Sequence, residues 1–327
     1  MTVVRKDATL TKRAQLGVQQ AEPFAPGWPG LPARWTSSAK SGIGTAVSRD
    51  SRVWFTLSHG ILNEIYYPRV DHACTRDLGF IVTDGQSYFS EEKRDTRSET
   101  SQVAPGIPAY RIHNTSADGR YRIEKEVLTD PWRDVVLQRV RFVPLQGTLA
   151  DFRLYVLLAP HLANAGAGNT AWVGDYKRSP MLFAEREHHA LALASSAPWL
   201  ARSVGFVGFS DGWQQLQASK RLDHTYARAE NGNVAVTGEI DLVSCDGAFV
   251  MALGFGPTAM EAGQHARISL LEDFDETHAE YVAPDERGTR GPWTASRQSS
   301  ESAFIRSVPR SFHCDSERST LKLRLAR

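Results

Sequence analysis

Residues 152–158 read Phe152-Arg153-Leu154-Tyr155-Val156-Leu157-Leu158. The first, third, fifth and seventh positions are apolar and fall on one side of an extended chain, because successive side chains of a strand point to opposite faces of a sheet. Residues 233–242 repeat this spacing, with one apolar side formed by Val234, Val236, Ile240 and Leu242. Both stretches predict half-buried antiparallel strands.

Similar short apolar runs recur from about residue 43 to residue 256, separated by turn dipeptides such as Asp84-Gly85 and Asn231-Gly232. Further strands are predicted at 53–57, 61–67, 78–83, 121–128, 135–143, 181–185, 204–209 and 248–255. No helical pattern alternates with them, which argues against a parallel βαβ architecture. The sequence therefore predicts an all-β fold, a large antiparallel two-sheet super-sandwich.

The pattern changes once, after Gly256. Thr258 is followed three residues later by Glu261, a capping-box signature. Helical spacing then connects the apolar residues Ala262, Ala266, Leu270, Phe274 and Tyr281. We expect one linker helix of about 20–25 residues, whose apolar stripe either folds back on the sandwich or stays exposed.

Four segments follow from these patterns. We predict a flexible N-terminal arm at 1–22, the β super-sandwich at 23–256, the helical linker at 257–284 and a disordered or out-of-frame tail at 285–327. The tail is rich in Ser and Arg and has no sustained periodicity, which is typical of disorder rather than of a nucleic-acid-binding fold.

Composition excludes several classes of protein. The 327 residues include 38 Lys and Arg against 37 Asp and Glu, so no overall field attracts nucleic acid or an anionic membrane. Three widely spaced cysteines, Cys74, Cys245 and Cys314, fit neither a disulfide framework nor a zinc site. No membrane span or signal-peptide pattern is present. We expect a cytoplasmic protein without cofactor, metal, nucleic-acid or membrane partner.

Two long stretches near the N-terminus carry a further signal. They read Trp35-Thr36-Ser37-Ser38-Ala39-Lys40-Ser41-Gly42-Ile43-Gly44-Thr45-Ala46 and Val53-Trp54-Phe55-Thr56-Leu57-Ser58-His59-Gly60-Ile61-Leu62-Asn63-Glu64-Ile65-Tyr66-Tyr67-Pro68. Shorter stretches follow at 76–85, 91–95, 159–162, 168–169, 210–213, 232–234 and 238–242. In this order they resemble the opening of bacterial glucoamylases and glucodextranases, glycoside hydrolase family fifteen.

The resemblance implies a galactose-mutarotase-like super-sandwich that is joined by a helical linker to an (α/α)6 barrel carrying the catalytic carboxylates. The intact family releases glucose from α-glucan ends by inverting hydrolysis. After residue 283 this sequence departs from the linker that the family would continue. We therefore expect a truncated, non-catalytic N-terminal domain, with an α-glucan and the missing (α/α)6 domain as partners.

No residue is predicted to be catalytic. Inverting hydrolysis needs two carboxyl groups about 6.5–9.5 Å apart, a spacing that a sequence does not reveal. For Glu91 and Glu92 we expect a solvated charged turn, and for Glu64 an interior paired carboxylate. The residues Glu185, Glu187, His188 and His189 are interpreted as a surface turn rather than a metal site, and Ser58-His59 as a turn rather than a nucleophile.

Carbohydrate sites combine aromatic faces with planar polar groups. The candidates for such contacts, or for a domain interface, are Trp54, Tyr66, Tyr67, Trp172, Asp211 and Trp213. Trp213 follows Asp211 and Gly212 in a predicted turn and is the strongest of them.

Two other functions stay open at this point. One is a stand-alone carbohydrate-binding module. The other is an aldose-epimerase-like enzyme that uses a His acid and a Glu base, for which candidate histidines are His59, His72, His113 and His161. The linkage preference, α-1,4 or α-1,6, is also open.

Overall fold

The computed structural model describes residues 22–35 and 38–283. The predicted tail at 285–327 lies outside these ranges, and so does the predicted arm at 1–22 except for Glu22. No helix within the described ranges has both the length and the hydrophobicity required to cross a bilayer.

The described residues form eighteen strands and four α-helices. The strands are β1 (Glu22–Phe24), β2 (Gly42–Thr45), β3 (Trp54–Ser58), β4 (Ile61–Tyr66), β5 (Thr75–Thr83), β6 (Phe89–Glu91), β7 (Thr96–Gln102), β8 (Tyr110–Ser116), β9 (Tyr121–Thr129), β10 (Val135–Pro144), β11 (Arg153–Pro160), β12 (Asn169–Tyr176), β13 (Ser179–Arg186), β14 (His189–Ser195), β15 (Trp199–Phe206), β16 (Tyr226–Gly232), β17 (Val234–Ile240) and β18 (Ala248–Gly256). The helices are α1 (Glu92–Asp95), α2 (Gly212–Ser219), α3 (Ala259–Leu271) and α4 (Phe274–Val282).

These strands build two large sheets, as the sequence predicts. The ten-stranded sheet has the order β1-β16-β12-β13-β14-β18-β10-β9-β8-β7. The eight-stranded sheet has the order β15-β17-β11-β5-β4-β3-β2, with β6 paired to β5. Neighbouring strands are antiparallel except for the parallel pair β1 and β16. The fold is an all-β super-sandwich.

One continuous core fills the space between the sheets. Val156 and Val236 reach it from the eight-stranded sheet, and Val127 and Leu253 reach it from the ten-stranded sheet. The apolar side predicted for residues 233–242 lies wholly in this core, and so do the last three apolar positions of 152–158. Both strands and their apolar sides are confirmed, but β17 is buried on both faces rather than half-buried.

The predicted linker helix is divided in two. Thr258 caps α3 by accepting a hydrogen bond from the backbone N–H of Glu261, as the capping signature predicts. The first helix ends at Leu271. Asp273 then caps a second helix by accepting hydrogen bonds from the N–H groups of Asp275 and Glu276. The expected single helix is therefore a pair, α3 and α4.

Helices α3 and α4 fold back on the outer face of the ten-stranded sheet. Small side chains on β14 and β18, among them Ala192 and Ala252, let α3 approach closely. Gly254 is required there, because a Cβ atom at this position would lie 2.4 Å from the Ala262 carbonyl oxygen. The predicted apolar stripe is largely covered: Phe274 and Tyr281 are buried and Leu270 is half-buried, whereas the neighbouring Leu271 is exposed.

Candidate functional site

The outer face of the eight-stranded sheet is polar where β3, β4 and β5 meet. The pairing of β3 with β4 shifts between Phe55 and Leu57, so β4 carries one extra residue there. Such a bulge re-aims side chains. Here Asn63 donates a hydrogen bond to Asp77 of β5 at 3.0 Å, and its neighbour Glu64 pairs with Lys40.

Glu64 is a buried carboxylate with two partners. Lys40 Nζ lies 2.7 Å from its Oε2 atom, and the Tyr66 hydroxyl donates to the same oxygen at 2.9 Å. The prediction of an interior paired carboxylate is confirmed. Burial lowers the pKa of Lys40, and the Glu64 charge opposes that shift.

The prediction of a solvated charged turn at residues 91–95 is wrong for Glu92. The segment is the short helix α1, and Glu92 is fully buried. Its carboxylate accepts hydrogen bonds from the Phe80 N–H at 3.0 Å and from the Asn114 amide at 2.6 Å. Its ion-pair partner is Lys125, with Nζ at 2.6 Å from Oε1 and no exposed side-chain surface on either residue.

Lys125 reaches Glu92 from the opposite sheet. On β9 it lies between the core residues Ile123 and Val127, and it also donates to the Gly60 carbonyl at 2.6 Å. Desolvation lowers the pKa of Lys125, whereas the Glu92 carboxylate raises it. The sequence analysis missed this residue, although a lysine on the apolar side of an alternating strand is a readable sign of a buried cation.

Asp211 and Trp213 lie at the start of a helix rather than in the predicted turn. Asp211 is the N-cap of α2, and its carboxylate accepts from the N–H groups of Gly208 and Gln214. Burial raises the pKa of Asp211, and these backbone hydrogen bonds oppose the shift. The cap fixes where α2 begins and thereby places Trp213, the second helical residue, over the sheet.

Trp213 stands beside Glu91 in a cleft of about 240 Å³. Its indole N–H donates to Glu91 Oε2 at 3.0 Å. The edge of Phe89 packs against the ring, with centroids 6.1 Å apart, and the Arg94 guanidinium lies 5.9 Å from the ring centroid. We call this space the Trp213 cleft; its polar walls are formed by Arg76, Asp77, Glu91, Lys93, Arg94 and Asp211.

The charged groups of the cleft other than Asp211 are paired with one another. Lys93 Nζ donates to Asp77 Oδ2 at 3.0 Å, and Arg94 Nε lies 3.3 Å from Glu91 Oε2. Arg76 Nε lies 3.6 Å from Asp77 Oδ2, which is too long for a hydrogen bond. This buried Nε atom has no hydrogen-bond partner. The sequence analysis proposed no role for Arg76 or Lys93, since only the fold brings them to Trp213.

The other predicted candidates do not join the cleft. Trp54 and Tyr66 are cross-strand partners on β3 and β4. Tyr67 is a core residue stacked on Phe255, and burial raises its pKa to about 12. Trp172 stacks on Phe183 of the ten-stranded sheet, with centroids 5.4 Å apart. Of the six candidates, only Asp211 and Trp213 line the cleft.

The histidines considered for an epimerase lie in four separate places. His59 is in the β3–β4 turn, where Ser58 Oγ is 2.6 Å from its Nδ1 atom. His72 contacts His189, and His113 is on β8. His161 is fully buried, neither of its ring nitrogens has a partner, and burial together with the nearby Arg76 lowers its pKa to about 3. These positions do not form one site.

Within residues 22–35 and 38–283, no group of three or more His, Cys, Asp or Glu side chains is arranged to hold a metal ion. The predicted turn at Glu187 and His188 is confirmed as the connection between β13 and β14. Cys74 is a buried free thiol whose pKa burial raises to about 12. Cys314 lies outside the described residues.

Several stretches that carry the family resemblance meet at this cleft. They include residues 76–85 on β5, 91–95 on β6 and α1, and 210–213 at the start of α2. They are separated in sequence by up to about 135 residues, so the fold, not the sequence order, unites them. The cleft is therefore lined in large part by stretches that carry the resemblance.

Comparisons with known proteins agree with this architecture. The family model described as glucodextranase, domain N, matches residues 25–294. The glucoamylase of Clostridium sp. (strain G0005) is 35% identical over 254 residues, which cover 78% of this chain and 36% of that protein.

A crystal structure of a bacterial glucoamylase complexed with acarbose matches with a TM-score of 0.78 and 34% identity, over 80% of this chain and 39% of that one. This chain thus spans little more than a third of the length of either relative. The family match and the shared fold together show that the chain belongs to the glucodextranase N-domain family.

Proposed function

We propose that this chain serves as the non-catalytic N-terminal domain of an α-glucan exo-hydrolase of the glucoamylase or glucodextranase type. The observation that carries the proposal is the unequal coverage of the glucoamylase match, 78% of this chain against 36% of the relative. The shared region is one domain of a larger enzyme. In that enzyme the hydrolysis is assigned to an (α/α)6 domain, which this domain contacts and whose substrate entrance it helps to shape.

The chemistry of the described residues supports an accessory role. Two buried carboxylates already have strong partners: Glu64 is bound by Lys40 and Glu92 by Lys125. A carboxylate that is fully engaged in structural pairs is a poor general acid or base, because protonating or freeing it breaks the pair. The substrate class, an α-glucan, is proposed from the glucoamylase relatives, one of which is a complex with acarbose. The proposed compartment is the cytosol, which suits the free thiols of Cys74 and Cys245.

A chimera tests the proposal directly. Residues 22–283 of this chain replace the matching N-terminal region of the Clostridium glucoamylase, and glucose release from starch and dextran is measured. We expect an active, stably folded chimera, while the same glucoamylase without any N-terminal region loses activity or solubility. A chimera that folds, as judged by cooperative thermal unfolding, but releases no glucose would contradict the proposed role.

A second experiment assays the isolated chain. The chain is expected to release no glucose from either polymer above a mock preparation. Glucose release by the isolated chain that is abolished by Glu91→Gln would show that the chain is itself a hydrolase. Mutarotation of fresh α-glucose, followed by polarimetry, would likewise show the epimerase activity that the proposal excludes.

A further inference from the structure

The Trp213 cleft has the properties of a sugar site that is separate from any catalytic centre. We propose that it binds one glucose unit of an α-glucan chain, so that this domain holds substrate as well as supporting its partner domain. The inference rests on the proposed function for the identity of the sugar. It rests on the geometry of the cleft for the existence of the site.

The charge of the walls selects a neutral ligand. Three cationic side chains, Arg76, Lys93 and Arg94, face three acidic ones, Asp77, Glu91 and Asp211. The charges balance in number, and all of them except Asp211 are paired within the cleft, so an incoming ion gains little net field there and would disrupt existing ion pairs. A polyhydroxylated ligand can instead donate to the carboxylates and accept from the cations without carrying charge into the site.

The Trp213 ring supplies the apolar contact that a pyranose needs. Its orientation is fixed at three points, by the hydrogen bond to Glu91, by the edge of Phe89 and by the helix start that Asp211 caps. A fixed aromatic ring binds a rigid ligand with little loss of side-chain entropy. The carboxylate of Glu91 lies at the rim of the same ring, where the hydroxyl groups of a sugar packed on the ring would project.

One wall of the cleft has an unused hydrogen-bond donor. Arg76 Nε is buried, lines the cleft and has no hydrogen-bond partner. A buried donor without a partner costs free energy, and a ligand hydroxyl recovers this cost when the half-buried Arg76 side chain turns its Nε atom into the cleft. The unused donor is the observation that separates a ligand site from a merely charged surface.

The size of the cleft limits the ligand to one ring. Its volume of about 240 Å³ is below the range of about 300–1,000 Å³ that is typical for drug-sized ligands. Apolar side chains close the rest of the cleft, including Leu31, Ile61 and Leu157. The remaining glucose units of a bound chain lie outside, so affinity should depend weakly on chain length.

The test measures binding of maltotetraose and isomaltotetraose to the full chain by isothermal titration calorimetry. We expect saturable binding of at least one of them, and a loss of at least about tenfold in affinity for Trp213→Ala, which corresponds to about 1.4 kcal/mol. Trp213→Phe keeps a ring and should retain most of the affinity. Arg76→Met, which removes the donor but leaves Trp213 in place, should also weaken binding.

The matched control is Trp132→Ala. Trp132 is partly exposed and its indole N–H donates to Glu280, as that of Trp213 does to Glu91, but it lies beside α4 on the other side of the molecule. Its removal should leave affinity unchanged. Circular dichroism and urea unfolding of each variant separate lost binding from lost folding.

Three results would overturn the proposal: no saturable binding by the wild type, equal affinity for wild type and Trp213→Ala, or equal losses for Trp213→Ala and Trp132→Ala in folded protein. Failure of this proposal is distinguishable from failure of the proposed function. An active chimera with no sugar binding by the isolated chain rejects the site alone, and an inactive chimera with Trp213-dependent binding rejects the accessory role alone.

Discussion

The outer face of the ten-stranded sheet is covered by two helices, whereas the outer face of the eight-stranded sheet carries buried ion pairs and the Trp213 cleft. On the first face, alanine and glycine side chains receive α3 through apolar contacts. On the second, Glu64, Asp211 and Glu239 are buried with a lysine, backbone N–H groups and an arginine as partners. Both faces are ordered, but through different interactions.

This difference indicates that one face of the fold serves stability and the other suits ligand binding. Apolar packing stabilises a surface without demanding particular chemistry. Buried charge pairs contribute little net stability and tolerate few substitutions, because removing one partner leaves an uncompensated charge. A face that retains such pairs around an open cleft is the face on which a ligand would bind, and the four experiments below test that contrast.

The largest effect is expected beneath the cleft. Lys125→Met leaves the Glu92 carboxylate buried without its cation, and we expect a loss of about 3–5 kcal/mol in the free energy of unfolding. Urea denaturation measures it. The double variant Lys125→Met with Glu92→Gln should recover a large part of the loss, since it removes the unpaired charge. A single variant within about 1 kcal/mol of the wild type would show that the pair is dispensable.

On the helix-covered face, stability should depend on side-chain volume rather than on charge. Gly254→Ala introduces a Cβ atom 2.4 Å from the Ala262 carbonyl oxygen, and overpacking of this kind costs about 1–3 kcal/mol. The control is Ala248→Val, at an exposed position on the same strand, which should change stability by less than about 0.5 kcal/mol. Equal effects of the two substitutions would mean that α3 does not pack closely on β18.

The polar region should also make stability depend on pH through His161. Its pKa in the folded protein is about 3, below the ordinary value of 6.5, so the unfolded chain takes up the proton first. The folded state therefore loses stability as pH falls from 6.5 towards 3. Between pH 7 and pH 5.5 this group should contribute a loss of about 1.3 kcal/mol.

His161→Phe retains an aromatic ring beside Trp35, whose centroid is 4.7 Å away in the wild type, and removes the titrating group. Urea unfolding at both pH values should show a smaller decrease for this variant. The same decrease in both proteins would assign the pH dependence to other groups.

The smallest effect is expected where the two helices join. Asp273→Ala removes the oxygen that accepts from the N–H groups of Asp275 and Glu276, at a cost of about 1 kcal/mol. Asp273→Asn keeps an acceptor and should be nearly neutral. Thermal unfolding would distinguish them, and indistinguishable midpoints for Ala and Asn would show that the cap does not set the start of α4.

The fold could be predicted from the sequence at several strands where burial imposes a period of two, although β8, which alternates in the same way, was missed. The strands at 152–158 and 233–242 have one side in the core, so their alternation is visible. β7 was missed because it is an edge strand whose residues are largely exposed, and an exposed strand needs no apolar alternation. The break between α3 and α4 was missed because the apolar spacing continues through it, although Asp273 is a readable cap.

The candidate site could be predicted only in part. Trp213 and Asp211 were identified because an aromatic residue in a predicted turn, beside an acidic residue and a glycine, is unusual in a core. Glu91 and Glu92 are adjacent in the chain, yet Glu91 contacts Trp213 while Glu92 contacts Lys125. Such a division depends on which elements the fold brings to each side of α1, which neither composition nor periodicity encodes.

The contacts of Tyr281 constrain the order in which the domain folds as well as its final structure. Its hydroxyl donates to the Thr45 carbonyl at 2.6 Å and lies 3.0 Å from the Pro108 carbonyl, contacts that span 236 and 173 residues of sequence. β1 likewise pairs with β16, about 200 residues later. Contacts of such long range form slowly, because the intervening chain must be ordered first. During synthesis on the ribosome, β1 waits for β16 and the Thr45 carbonyl waits for Tyr281, so the domain completes its folding only after α4 has left the exit tunnel.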